Sequence, residues 1–188
     1  MTTIRRADVR DVPQIAQIVN DSAEYGLMLH RSLEFLYERV RDFFVAVDDG
    51  RPQAITGVSG LSVIWADLAE VYSLAVHPQH RRKGIGRKLV EKCLEEAKRL
   101  GIPRVMALTY EQRFFASLGF EVLDRQKLPL KVWSDCLHCP KNQACDEIAM
   151  LRALADVPAV AAPKPGTPPS SEYVLPVVAP DADKPGQP

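Results

Sequence analysis

Apolar positions recur every three or four residues over 85–100, where Ile85, Leu89, Cys93, Ala97 and Leu100 line one side of a helix. Gly101 ends that helix and Pro103 keeps it from restarting. The same spacing predicts two earlier helices. One begins at Asp11, with Gln14 three residues on as in a capping box and Ile15, Ile18 and Val19 as its apolar side. The other begins at Ser32, an N-cap residue type, with Leu33, Leu36 and Val40 facing inward. A short helix over 112–118 closes at Gly119. Between the helices, apolar runs predict strands over 3–6, 43–47, 54–65, 70–76, 104–108, 120–123 and 146–151. Asp48, Asp49 and Gly50 form the turn after the second strand. Strands and helices interleave, as in an α/β or α+β sheet flanked by helices.

The pattern stops near residue 154. From Ala155 onward the chain holds nine of its fifteen prolines, and proline both removes a backbone donor and fixes φ. We expect one domain over 1–154 and a solvated Pro/Ala-rich tail over 155–188. In the 188-residue chain apolar residues make up 46% and charged residues 26%, the balance of a globular protein. No segment reads as a secretory signal or a membrane span, so a cytoplasmic protein is the expectation. The formal charge is zero, which leaves no general attraction to nucleic acid or an acidic membrane.

That charge is unevenly spread. Residues 77–104 carry nine Lys/Arg against three Glu, a local excess of about +6. Arg81, Arg82, Lys83, Arg87 and Lys88 crowd the start of the 85–100 helix, where the macrodipole favours acids. Gly84 and Gly86 interrupt them, letting backbone N–H groups converge without Cβ obstruction. Amides, dipole and cations together suit a phosphate, and best a diphosphate. A basic solvated loop would show the same charge and glycines, so the motif acquires meaning only in context.

The context is AEVYSLAVHPQHRRKGIG, residues 69–86, followed by FFASLGF at 114–120. These resemble the central motif and the second landmark of the GNAT acetyltransferases, with Arg81, Gly84 and Gly86 following a strand that ends in Val76, His77 and Pro78. The resemblance implies a mixed, mostly antiparallel sheet, splayed at an acetyl-CoA site and flanked by helices. It implies that the pyrophosphate rests on the amides of Arg82, Lys83, Gly84, Ile85, Gly86 and Arg87, with Arg81 beside them. The pantetheine arm would pair with the open edge of Leu74, Ala75 and Val76, where an amide also faces the thioester oxygen.

Acetylating an amine requires removing its proton. Glu70 is the candidate base, a glutamate where the family often has one, and period-two alternation sets it on a face with Tyr72 and Leu74. A partly exposed strand-end carboxylate is the competing reading. Where relatives carry a tyrosine as acid for the leaving thiolate, this chain has Phe115; Tyr110 or water is left for that task.

Residues 29–44, 69–76 and 128–133 are similar to short single-domain amino-acid N-acetyltransferases of the N-acetylglutamate synthase type. That likeness implies L-glutamate or glutamine as acceptor, in the first step of arginine biosynthesis. Arg31 then suits the α-carboxylate, beside Ser32 at a helix start, and Lys131 a second carboxylate; a surface pairing of Arg31 with Glu34 is the alternative. Relatives commonly place proline before that arginine, where this chain has His30. Other amines, or acetyl-CoA binding without turnover, remain open at this stage. Expected partners are small molecules, with no nucleic acid and no membrane; a homodimer is left open. No metal is expected in the catalytic site. Within a cysteine-containing insert over 124–145, Cys136 and Cys139 have C-x-x-C spacing with Cys145 nearby, which fits zinc, a redox pair or plain thiols.

Overall fold

The computed structural model describes residues 2–124 and 146–158. Lys131, Cys136, Cys139, Cys145 and the proline-rich tail from 159 onward lie outside the described residues. Among those described, seven strands form one sheet: β1 (Thr2–Arg6), β2 (Phe43–Asp48), β3 (Arg51–Trp65), β4 (Leu68–Val76), β5 (Arg104–Thr109), β6 (Glu121–Val122) and β7 (Ile148–Ala153). Their order is β1-β2-β3-β4-β5-β7-β6. Every neighbouring pair is antiparallel except β4 and β5. The expected mixed, mostly antiparallel sheet is what forms.

Helices cover both faces. On one side lie α1 (Val12–Glu24) and α2 (Leu33–Glu38); on the other lie α3 (Ile85–Arg99) and the short α4 (Gln112–Ala116). β2 shows why its run is apolar throughout: Phe43 and Val45 pack against α1, while Phe44 and Ala46 pack against α3. A strand covered on both faces has no polar side. α3 buries Ile85, Leu89, Val90, Cys93, Leu94 and Ala97. Fully burying each large aliphatic among them contributes about 1.5–3 kcal/mol. Burial pushes the Cys93 thiol up to about 12, so it behaves as a small apolar side chain. Contacts run a little past residue 154: Asp156 pairs with Lys98 at 2.9 Å and Val157 packs on the α3-side core.

Three local expectations change. Leu100 is 44% exposed, because the helix ends at Arg99 and Ile102 takes the inward place. Gly101 N–H donates to Lys98 O and Ile102 N–H to Ala97 O, a Schellman closure that turns the chain before Leu100 can face the core. The capping box at Asp11 does not form either. Arg5 holds that carboxylate with two bonds of 2.6 and 2.8 Å, and Asp8 N–H donates to it as well. Gln14 turns instead to the start of β3, donating to Gln53 O and accepting from Ile55 N–H. At Ser32 the cap forms as expected, with Oγ accepting from Phe35 N–H at 3.1 Å. α2 itself is too short for an apolar stripe. Leu36 is buried, Leu33 is exposed, and Val40 falls in a following 3-10 turn.

Gly60 stands directly opposite Tyr72 in the β3–β4 register. A Cβ there would come within 2.5 Å of the Tyr72 ring, which is itself packed by Phe35 and Phe43 and tied to Asp42. Gly60→Ala should therefore cost about 1–3 kcal/mol, as overpacking does. A urea titration should show a lower midpoint at unchanged m value.

Candidate active site

Period-two alternation does not hold along β4. Ser59 of β3 faces two residues, Ser73 and Leu74, because the register jumps from Tyr72 opposite Gly60 to Ala75 opposite Val58. This is a β-bulge, and Ser73 adopts φ of 49° to make it. One extra residue exchanges the faces beyond it. Tyr72 and Ala75 pack toward α1, whereas Leu74 and Val76 pack toward α3. The expectation that Glu70, Tyr72 and Leu74 share a face is thus corrected: Leu74 sits on the opposite side.

The second departure is from β5. β4 and β5 pair in parallel only at Ala69 with Val105 and at Glu70 with Met106. Past Glu70 the strands part, and among the described residues no strand lies beside the β5-facing edge of β4. A cavity of about 900 Å³ fills the gap. Its walls include Glu70 through Val76 of β4, and Leu108, Thr109 and Tyr110 at the end of β5. Clefts beyond the carboxyl ends of parted strands are the usual ligand sites of α/β sheets.

At the α3 end, the loop residues Arg82 (φ 61°) and Gly84 (φ 76°) both take left-handed backbone. Among the described residues, the amides of 82–87 donate to no protein group; the first helical bond is Lys88 N–H to Gly84 O at 3.1 Å. Six successive donors at a helix start with no acid in the first turn form an anion cradle. Arg81, Arg82, Gly84, Ile85, Gly86 and Arg87 line the cavity. Arg81 Nε donates to Val76 O at 3.1 Å, bracing the loop on β4. Arg87 reaches sideways to Ser117, with 3.0 Å to its Oγ.

The opposite wall is the loop between α1 and α2, through Leu27, Met28, Leu29 and Arg31. The Arg31 guanidinium lies over the Phe35 ring at 4.3 Å and 5.8 Å from the Tyr72 centroid. Tyr72 Oη donates to Asp42 at 3.1 Å. Burial, then the Asp42 charge, holds the Tyr72 phenol far above its usual pKa, so it stays protonated and serves as a fixed wall.

Of the residues singled out from the sequence, Glu70, Leu74, Ala75, Val76, Arg31 and the loop from Arg81 to Arg87 come together around this one cavity, apart from Lys83. Lys83 is exposed and outside the wall. Ser32 is also outside, its hydroxyl engaged in capping α2. Phe115 is buried against Phe114 and Phe120, with ring centroids near 5 Å, and presents carbon alone at the position where a hydroxyl was sought. Tyr110 lines the cavity. Two contributors were missed: Phe35, whose ring meets Arg31 through the turn of the chain at the Ser32 cap, and Tyr72, whose role depends on the tertiary contact with Asp42.

The sequence profile of the acetyltransferase (GNAT) family matches residues 12–120. The chain belongs to that family. An uncharacterized N-acetyltransferase of Chlorobaculum tepidum is 40% identical over 153 residues, covering 81% of this chain and 97% of its own length. An amino-acid acetyltransferase of Mycobacterium tuberculosis is 36% identical over 132 residues, covering 70% of this chain and 75% of its own length. N-acetylglutamate synthase from Neisseria gonorrhoeae, solved with coenzyme A and N-acetyl-glutamate, superposes with a TM-score of 0.73 at 29% identity. That match covers 82% of this chain and 35% of the synthase. The GNAT domain described here is that of an acetyl-CoA-dependent acyltransferase. Among the described residues no helix is long and apolar enough to cross a membrane.

Burial raises the Asp42 carboxyl above its usual range, while the Tyr72 bond and the Arg39 charge pull it back. An acid raised on folding lowers stability as pH climbs from its unfolded value through its folded one, so Asp42 costs most at neutral pH. Removing the tyrosine hydroxyl raises it further. Tyr72→Phe should cost about 1 kcal/mol at neutral pH and clearly less near pH 3, where the carboxyl is protonated even in the unfolded chain. Urea unfolding at both values reads the difference.

Proposed function

We propose that this acetyltransferase moves the acetyl group from acetyl-CoA to the α-amine of L-glutamate or glutamine, the first step of arginine biosynthesis. The observation that carries the proposal is Arg31. A cation held over an aromatic ring stands across the same cavity from the amide cradle at 82–87 and beside the strand that bears Glu70. A free amino acid needs a cation for its α-carboxylate, whereas a polyamine would be repelled. The two named relatives, an amino-acid acetyltransferase and an N-acetylglutamate synthase, support the same acceptor class.

In this reading the diphosphate of acetyl-CoA rests on the amides of 82–87, with Arg81 and Arg82 beside them. Its pantetheine arm runs along the open edge at Leu74 to Val76, in the gap left by β5. A β4 amide near the bulge faces the thioester oxygen and stabilises the charge that develops there. Arg31 fixes the carboxylate so that the amine meets the carbonyl carbon. Glu70 takes the ammonium proton, directly or through water. The neutral amine attacks the carbonyl carbon and the C–N bond forms; the adduct sheds its second N–H proton to water as the C–S bond breaks, and CoA leaves as the thiolate, which water or Tyr110 can protonate.

Two measurements test this. Thiol release from acetyl-CoA, run across the free amino acids, should be fastest with glutamate or glutamine; no acceptor-dependent release with either would overturn the acceptor assignment. Glu70→Gln should lower kcat about a hundredfold and flatten the pH profile of kcat/KM, with the KM for acetyl-CoA little changed. Wild-type kinetics in that variant would remove Glu70 from the chemistry.

A further inference from the structure

Arg31 lies in a loop only partly packed: Met28 rests on the α1-side core, while Tyr25 and Leu27 are exposed and His30 is largely so. The loop is nonetheless fastened at defined points. At its start, Gly26 N–H donates to Ala23 O and Leu27 N–H to Ser22 O, a Schellman closure of α1 made feasible by φ of 69° at Gly26. At its end Ser32 caps α2. Between these, Glu24 lies 3.4 Å from His30, and Asn20, in the last turns of α1, reaches Arg31 itself. Its Nδ2 donates to Arg31 O at 3.0 Å, and its Oδ1 accepts from Arg31 N–H at 2.9 Å.

The pairing is that of two peptide units in a sheet, with the asparagine amide standing in for one strand. Both main-chain groups of Arg31, and of no other loop residue, are held by it. Asparagine is a mediocre helix former, so its position in α1 is not explained by local propensity. A side chain with one donor and one acceptor at this separation is what the loop requires. Aspartate would set a second acceptor against Arg31 O, and alanine would offer nothing.

Resting on the acceptor reading above, we infer that Asn20 is a positioning residue for amino-acid recognition. It fixes the root of the Arg31 side chain while Phe35 fixes its far end, so that the guanidinium meets the acceptor carboxylate already oriented. Without it, Arg31 can still reach the carboxylate but must be ordered at the moment of binding, and that cost falls on acceptor affinity. Neither the anion cradle nor Glu70 depends on it.

A double-mutant cycle on the full chain tests this. Asn20→Ala should raise the KM for glutamate or glutamine about tenfold, with kcat and the KM for acetyl-CoA changed less than about twofold. Arg31→Ala should lower kcat/KM for the acceptor about a hundredfold, the order of a lost charge-assisted contact. The double variant should be no worse than Arg31→Ala, because the effect of Asn20 passes through Arg31. Asn20→Asp should resemble the alanine variant. Thermal unfolding of each variant reports separately on folding. Additive losses in the double variant, or a wild-type acceptor KM in Asn20→Ala beside a weakened Arg31→Ala, would overturn the role of Asn20 alone. A wild-type acceptor KM in Arg31→Ala would overturn the acceptor reading itself, and the inference with it.

Discussion

Among the described strands, β4 has two partners for part of its length and one for the rest. Its pairing with β3 continues to Val76, while that with β5 ends at Glu70. Backbone groups that leave a sheet must find other partners, in protein, water or a ligand. The gap beside β4 is lined by apolar side chains with polar groups among them, Glu70, Thr109 and Arg31 included, and ends at a row of helix-start amides. A sheet that opens in this way leaves room for a long, thin, polyanionic cofactor such as the acetyl-CoA of the proposed reading. The bulge at Ser73 belongs to the same device. It turns Leu74 toward α3 without breaking the β3 ladder, leaving Tyr72 and Ala75 with α1.

The two ends of the cavity solve different electrostatic problems. At the α3 end main-chain amides, a helix dipole and exposed arginines together create a diffuse positive field, suited to the diphosphate of the proposed reading. No single side chain there is indispensable to the geometry, and Arg87 is already partly committed to Ser117. At the other end stands a single guanidinium, Arg31, lying over the Phe35 ring with both of its main-chain groups bonded to Asn20. In the proposed reading it meets one carboxylate, and because small acceptors carry little binding energy, a preorganised cation would matter more there than a strong field.

Stability and site are coupled through Tyr72. The ring fills the space above Gly60, touches Phe35 and Phe43, and hands its hydroxyl to Asp42. It therefore stands between the α1-side core and the wall that carries Arg31. The Tyr72 hydroxyl bond offsets part of the cost of burying the Asp42 carboxyl.

Amphipathic spacing over 85–100, the caps at Ser32 and Gly101, the apolar run of β2 and the basic glycine loop at 81–87 were all legible along the chain, because each depends on neighbours within a few residues. From them came the sheet flanked by helices and the family. The sequence order also contained Glu70 and Arg31 as candidates, but not their meeting. Leu74 was assigned to the wrong face, since alternation carries no sign of an inserted residue whose cause is the pairing with Ser59. Asp11 was read as a cap, since Arg5 reaches it only when β1 and α1 pack. Asn20, Phe35 and Tyr72 acquire roles from partners 4 to 30 residues distant. Local periodicity determined the elements; the parting of β4 from β5 and the contacts across loops decided the site, because those are long-range events that no short stretch of sequence encodes.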